Sequence, residues 1–331
     1  MDINEIAQRA GVSRATVSRY LNDGYVSKEK RLRIGKVIKE TGYVPSRSAQ
    51  QLRNGKTGVV GVIIPKINSQ SVSRMVAGIT EGLSKNHYEV LLANTNNDPH
   101  KEVEYLDLLS KKGRVDGIIL IATVFTEQHQ RILKNYKRPL VVLGQRYEGY
   151  SSIYQDDYNA VYDITRIALK TSLHPAYLGV LNEDVSAGTL RHKGFMDACA
   201  QAGVEVPAIA QQIVGFNSDD GFFGAERVLD AKPDVDTFVC ASDEIAFGAM
   251  MCMREYGRRV PEDVQITGVG DSLLSQIIHP SLSTVHLHYK TGGIKAAEAL
   301  LSRMSSSNAS PVDYEMPYEV YVRNTMRPHD E

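Results

Sequence analysis

Residues 2–22, DINEIAQRAGVSRATVSRYLN, hold two short amphipathic helical patterns either side of one glycine, which is the pattern of a helix-turn-helix. Asp2 is placed to cap the first helix while Glu5 reaches back to it, and Ile3, Ile6, Ala7 and Ala10 form the apolar stripe. Gly11 supplies the turn, Val12 plugs it, and Ser13 offers a hydroxyl to cap a second helix starting at Arg14. In that helix Val17 and Leu21 are four apart and face inward. Residues 27–41 predict a third helix, capped by Ser27, with Leu32, Ile34, Val37 and Ile38 as its stripe and Gly42 ending it.

The outward side chains of the second helix suit a nucleic-acid groove. Arg14 and Arg19 carry forked donors, Asn22 an amide, and Ser13, Thr16 and Ser18 hydroxyls, with Ala15 leaving room between them. An ordinary surface hairpin with a solvated polar face is the alternative for so short a motif. Charge favours the groove: residues 1–56 hold 12 Lys and Arg against 5 Asp and Glu, whereas the whole chain holds 38 against 39. A basic head on an acidic body points to a polyanion partner. Beyond it, PSRSAQQLRNGKT (45–57) reads either as a charged linker or as a helix of about two turns that is marginal alone and folds on a surface.

From Asp2 through Thr57 the chain resembles the DNA-binding headpiece of the LacI/GalR family of bacterial transcription regulators. IAQRAGVSRATVSRYLN matches its helix-turn-helix and VPSRSAQQLRNGKT its hinge helix, and the likeness continues to VRNTMRP near the C-terminus. The resemblance implies that Arg14 and Ala15 select operator bases and that Arg19 is the usual arginine after TVS. It also implies that Leu52 inserts into the minor groove at the operator centre, with Ala49, and Arg47 in the same hinge, close by. Tyr20 departs from the family's valine or isoleucine; it is expected to pack, the alternative being a hydroxyl set near phosphates.

Residues 58–331 alternate apolar runs with helical stretches. VVGVII (59–64), VLLA (90–93), GIILIA (117–122) and LVVL (140–143) make one series; YLGVL (177–181), FVCA (238–241) and QITGV (265–269) make another. This is the signature of doubly wound parallel sheets. The fold expected is a small all-α helix-turn-helix headpiece followed by a two-lobed α/β periplasmic-binding-protein-like core. By resemblance, residues 1–44 are the headpiece, 45–57 the hinge and 58–331 the core. Lobe 1 then takes about 58–157 and 286–316, and lobe 2 about 158–285 and 317–331.

Ligands in open α/β sheets bind beyond the carboxyl ends of the strands, here between the lobes. On that rule Asn68, Ser69 and Ser71 follow the first strand, Asn94 and Thr95 end the second, and Gln145 and Arg146 end the fourth. The resemblance implies that Arg191 in RHKGF reaches ligand oxygens, that Phe216 stacks on a sugar ring, and that Ser242 and Asp243 in ASDEIAFGAM add polar contacts. Two family segments are altered. Gly270 of GVGDS falls where relatives carry a ligand-contacting aspartate, so Asp271 either substitutes or caps the next helix; Leu287 of STVHLHY replaces a glutamine, and Tyr289 is placed to line the cleft. His286 and His288 form a His-x-His pair without further ligands nearby, so no metal site is read there, and no cofactor is expected.

No GxSxG, GxxxxGKS or HExxH motif is present, so no enzyme is expected. Cys199, Cys240 and Cys252 lack metal spacing and read as buried small hydrophobes. With no signal peptide and no run of about 18 apolar residues, a cytoplasmic protein off the membrane is expected. The basic three-helix head argues against a sugar-binding receptor with no DNA role. The function expected is a sequence-specific repressor of a sugar-utilisation operon. Its partners are double-stranded operator DNA, a small sugar or sugar phosphate effector such as a disaccharide (sucrose or trehalose), and a second copy of the chain. No leucine heptad follows Thr325 that would build a tetramer. The alternative is a catabolite-control type of regulator answering to a phosphorylated sugar or a protein corepressor.

Overall fold

The structure is a computed structural model describing residues 2–22, 24–43, 56–111, 113–306 and 310–328. The chain divides into two compact units, Met1–Gly58 and Val59–Glu331.

In the first unit, α1 (Ile3–Ala10), α2 (Arg14–Leu21) and α3 (Lys28–Thr41) enclose a core of Ile6, Ala7, Ala10, Val17 and Ile34. The capping box forms as the residues dictate. The backbone N–H of Asp2 donates to Glu5 Oε2 at 2.8 Å, and that of Glu5 donates to Asp2 Oδ1 at 2.9 Å. Gly11 takes the left-handed conformation (φ 62°) and closes α1. Two details differ from the sequence reading. Leu32 is 69% exposed, because a turn of 100° per residue leaves Ile34, Val37 and Ile38 on the inner face and carries Leu32 past its edge. Ser27 makes no side-chain cap bond to α3. Most of the segment read as a hinge, including Arg47, Ala49 and Leu52, lies outside the described residues.

The second unit holds two sheets. The first is all parallel in the order β11-β5-β4-β3-β1-β2, built from β1 (Val59–Ile64), β2 (Glu89–Asn94), β3 (Gly117–Ile121), β4 (Leu140–Leu143), β5 (Ser151–Gln155) and β11 (Asp313–Met316). The second has the order β12-β10-β9-β8-β6-β7, with β6 (Pro175–Gly179), β7 (Gln211–Ile213), β8 (Thr237–Cys240), β9 (Gln265–Val269), β10 (Ser283–Leu287) and an antiparallel edge β12 (Tyr318–Tyr321). Central strands such as β3 are buried residue by residue, which is why they read as unbroken apolar runs.

The chain passes between the lobes three times: after β5, after β10 and between β11 and β12. The second passage corrects the expected boundary at 286. His286 and Leu287 pair with Glu319 and Tyr318 in the second sheet, so lobe 2 keeps them and lobe 1 resumes with α12 (Tyr289–Ser305). That helix packs against α4 (Gln70–Ser84) in backbone contact. A Cβ at Gly78 would fall on the Lys290 carbonyl, and one at Gly293 on that of Met75. Gly78→Ala is therefore expected to force the pair apart and cost about 1–3 kcal/mol, read as a lower unfolding midpoint. No described helix is long and apolar enough to cross a membrane.

Candidate functional site

In the helix-turn-helix unit, Ser13 caps α2 by accepting from the Thr16 N–H at 3.2 Å, and its hydroxyl lies 2.9 Å from that of Thr16. Arg14, Ala15 and Arg19 are exposed and Thr16 and Ser18 half-buried, so α2 presents a basic, hydroxyl-bearing face on a helix anchored by Val17. Asn22 is exposed, but its amide donates to the Ser18 carbonyl at 2.8 Å, which ties it to the end of its own helix. Tyr20 is half-buried in the small core, with the Arg31 guanidinium 5.3 Å from its ring centre. It packs.

In the second unit the switch points of the two sheets, between β1 and β3 and between β6 and β8, open onto one cavity of about 360 Å³ between the lobes. Its size falls at the small end of ligand sites. Asn68, Ser69, Ser71, Arg191, Phe216, Ser242, Asp243 and Tyr289 line it. Phe216 is 42% exposed, an unusual state for a phenylalanine in a folded core and a usable one for a stacking face.

Arg191 is delivered by a local irregularity: one π-helical segment, Val185–Leu190, capped by Asp184, runs directly into α8 (Arg191–Gln201). Its Nε and Nη2 both meet Asp157 Oδ1, at 2.7 and 2.6 Å, and Nη1 donates to the Ala241 carbonyl at 2.5 Å. Burial pushes the Asp157 carboxyl up, while at Arg191 burial is outweighed by Asp157 and Tyr289, which hold the guanidinium charged. Of these opposing tendencies the ion pair prevails, because two short donors converge on one oxygen and only a carboxylate rewards that geometry. Asp243, at the start of α10 (Asp243–Glu255), is likewise occupied. It accepts from the Ser272 N–H at 2.7 Å and the Thr284 hydroxyl at 2.5 Å.

The lobes are tied across the cavity at both ends. At one, Ser186 Oγ donates to the Gly144 carbonyl at 2.9 Å and Gln145 Nε2 to Asp184 Oδ1 at 3.3 Å. At the other, Arg74 of α4 donates to the carbonyls of Gly270 and Asp271 and lies 5.0 Å from the Tyr289 ring centre. Burial pushes the Asp184 carboxyl up to about 6 from its ordinary 3.8. A raised acid is protonated longer in the fold than in the unfolded chain, so stability falls as pH rises from about 4 to 6 and stays lower above that. Asp184→Asn keeps the cap oxygen and removes the buried charge. It is expected to raise the unfolding midpoint at pH 8 by the equivalent of about 1–3 kcal/mol, with the gain vanishing by pH 4.

Five residues expected at the ligand are placed elsewhere, among them Thr95, which is buried outside the lining. Gln145 is buried beside the cavity wall, its amide committed to Asp184 and the Thr123 carbonyl. Arg146 points to solvent at the far edge, where its Nε donates to Asp313 Oδ2 at 2.7 Å. Asp271, at φ 47°, turns its carboxylate to Arg323 (2.5 Å) and His286 (2.8 Å), away from the cavity, while Ser272 caps the next helix, α11 (Leu273–Ile277). Asn94 bonds to Asn96 instead of the cavity. His288 lies 3.5 Å from Glu319, so the two histidines have separate carboxylate partners. The sequence reading missed Lys66, Arg74, Gln155, Asp157 and Asp184, all in the lining. A cationic residue on an amphipathic helix and a glutamine ending a polar strand carry no local mark of a site.

A helix-turn-helix unit joined to a two-lobed core with a polar interlobe cavity defines the class of binding-protein-like transcription regulators. Residues 2–46 match the family described as bacterial regulatory proteins, lacI family, and residues 167–326 match the periplasmic binding protein-like domain. The chain is 30% identical over 302 residues to the sucrose operon repressor of Staphylococcus xylosus, covering 90% of this chain and 92% of that one. Among solved structures, a complex of the transcriptional regulator CelR with cellobiose aligns with a TM-score of 0.76 at 26% identity, covering 98% and 99% of the two chains. The lac repressor dimer bound to operator and the anti-inducer ONPF aligns at 0.88 and 22% identity over 98% of each, a likeness of fold. The chain belongs to the lacI family and is a DNA-binding transcription regulator.

Proposed function

We propose that the protein is a repressor whose operator affinity is switched by a small sugar, a disaccharide in size, held in the interlobe cavity. The observation that carries this reading is the cavity itself: lined by hydroxyls, amides and one half-exposed aromatic ring, and closed by hydrogen bonds running from lobe to lobe. A ligand touching both walls changes the balance of those bonds, and ligand and DNA affinities then become coupled. The sucrose operon repressor and the cellobiose-bound CelR support a sugar over other small molecules.

Residues 1–44 form the operator-reading headpiece in this account and 45–57 its hinge, with Arg14, Ala15 and Arg19 of α2 at base edges and Ser13, Thr16 and Ser18 at phosphates. Two chains associate through the cores and present paired headpieces to a near-palindromic operator. Leu273 and Ile277 of α11 are each 70% exposed, and Leu91 and Leu92 lie on the open edge strand β2; apolar surface of that kind supports an interface with a second copy.

The test is operator-fragment binding titrated with a panel of sugars. One sugar shifting the affinity identifies the effector and its sign; undiminished operator binding with every sugar silent defeats the sugar reading. Phe216→Ala is expected to weaken the effective sugar at least tenfold while operator affinity without sugar and the unfolding midpoint stay as they are, since the ring is already half in water.

A further inference from the structure

The two walls of the cavity differ in charge. Every carboxylate in the lining belongs to lobe 2: Asp157, whose charge is met by the Arg191 guanidinium beside it, and Asp184, Asp243 and Glu244. Lobe 1 contributes Lys66 and Arg74, the hydroxyls of Ser69 and Ser71, and no acid. These groups surround the start of α4, whose first turn holds no acidic residue.

The lobe 1 wall also carries unused hydrogen-bonding capacity. Gln155, the last residue of β5, is only 3% exposed and lines the cavity, yet neither its Oε1 nor its Nε2 has a partner among the described residues. A buried amide with donor and acceptor both idle is rare in a folded protein and points to a group that arrives from outside. Arg74 spends its Nη donors on two carbonyls, has no carboxylate partner among the described residues, and keeps a buried Nε unbonded. Lys66 lines the cavity with Glu244 and pulls its carboxyl down against the upward push of burial.

We infer that the effector is a sugar carrying an oxyanion, a phosphate ester or a carboxylate, seated with the anion on the lobe 1 wall between Lys66 and Arg74 and its hydroxyls on Gln155. The inference rests on the sugar reading above and narrows it. Lobe 2 then receives the neutral end of the molecule: Phe216 takes the apolar face of a ring, and Asp184 and Glu244 accept from its hydroxyls. The carboxylates of lobe 2 repel the anion and so fix the direction in which the ligand lies.

Calorimetric titration of the full chain with sucrose, trehalose and cellobiose, each free and as its 6-phosphate ester, and with their uronate counterparts, tests this. At least one anionic form is expected to bind tenfold or more tightly than its parent sugar, with an affinity that falls as salt is raised. Lys66→Gln and Arg74→Gln are expected to erase that preference, and Gln155→Leu, which removes an unpaired amide without harming the fold, to weaken every ligand about tenfold. The phosphate and carboxylate arms separate the two oxyanion sources. A free sugar binding as tightly as its esters and acids, or a preference that survives in Lys66→Gln and Arg74→Gln together, overturns the inference and leaves the sugar reading standing. If nothing in the panel binds while operator binding is intact, both fall.

Discussion

Replacing Ile34 with alanine is expected to unfold the helix-turn-helix unit and abolish operator binding while the two-lobed core keeps its own melting transition. Ile34 is fully buried among Ile6, Ala7, Ala10 and Val17, and its cluster draws only on residues of the first unit. A buried isoleucine cut to alanine loses about 2–5 kcal/mol. A unit of fewer than about 70 residues with one small core rarely holds more than about 3–5 kcal/mol in total, so this single change removes most of it. Leu32→Ala on the same helix is the control: at 69% exposure it is expected to stay within about 0.5 kcal/mol of the parent. Circular dichroism melts with operator binding by anisotropy read both. An Ile34→Ala protein that still binds operator would place the stability of this unit somewhere other than its core.

The second large effect is expected at Arg191. Alanine there leaves the Asp157 carboxylate, 1% exposed, without its cation and the Ala241 carbonyl without its donor. Breaking a buried pair by removing one partner costs about 3–5 kcal/mol, which in a unit of this size lowers the midpoint by on the order of 10 °C. Lysine is a poor substitute, because one ammonium cannot reach Asp157 and the Ala241 carbonyl as the guanidinium does. Arg191→Met combined with Asp157→Leu removes both charges and is expected to recover most of the stability. Effector binding is not expected to return with it. The double variant therefore separates what the pair does for the fold from what it does for the ligand. Recovery of both would make the pair a purely structural feature.

What could be read from the residues, and what could not, divides along physical lines. The capping box of Asp2 and Glu5, the left-handed Gly11 and the inward Val17 are local features, and local chemistry specifies them. Strands β1, β3 and β4 are buried on both faces and announce themselves as apolar runs. By contrast, β5 (SSIYQ), β11 (DYEM) and β12 (YEVY) carry polar residues: the serines of β5 bond to the backbone of Tyr147, Tyr150 and Val312, and β11 and β12 lie at sheet edges. Their register depends on pairings between distant segments that no local window contains.

The cavity shows the same division. Arg191, Phe216 and Tyr289 stand in segments recognisable as a set, and they line it. Placement at a strand's carboxyl end does not say which way a side chain turns, so Gln145, Arg146 and Asp271, which the sequence places at the ligand, serve other partners. Gln155 and Arg74 had the opposite fate. Nothing nearby in sequence distinguishes them, and only the closing of two lobes around them shows the Gln155 amide idle and the Arg74 Nε unbonded.

In the proposed switch the cavity and the operator-reading helix share one free energy. Its most direct test is to measure operator affinity with and without saturating effector, and effector affinity with and without operator, on the same full-length protein in the same buffer. Linkage requires the two ratios to be equal, and a working switch sets them at about 5- to 150-fold, or 1–3 kcal/mol. Equal ratios in that range are the result predicted here. Effector binding that leaves operator affinity unchanged would contradict the account, however tightly the cavity holds its ligand.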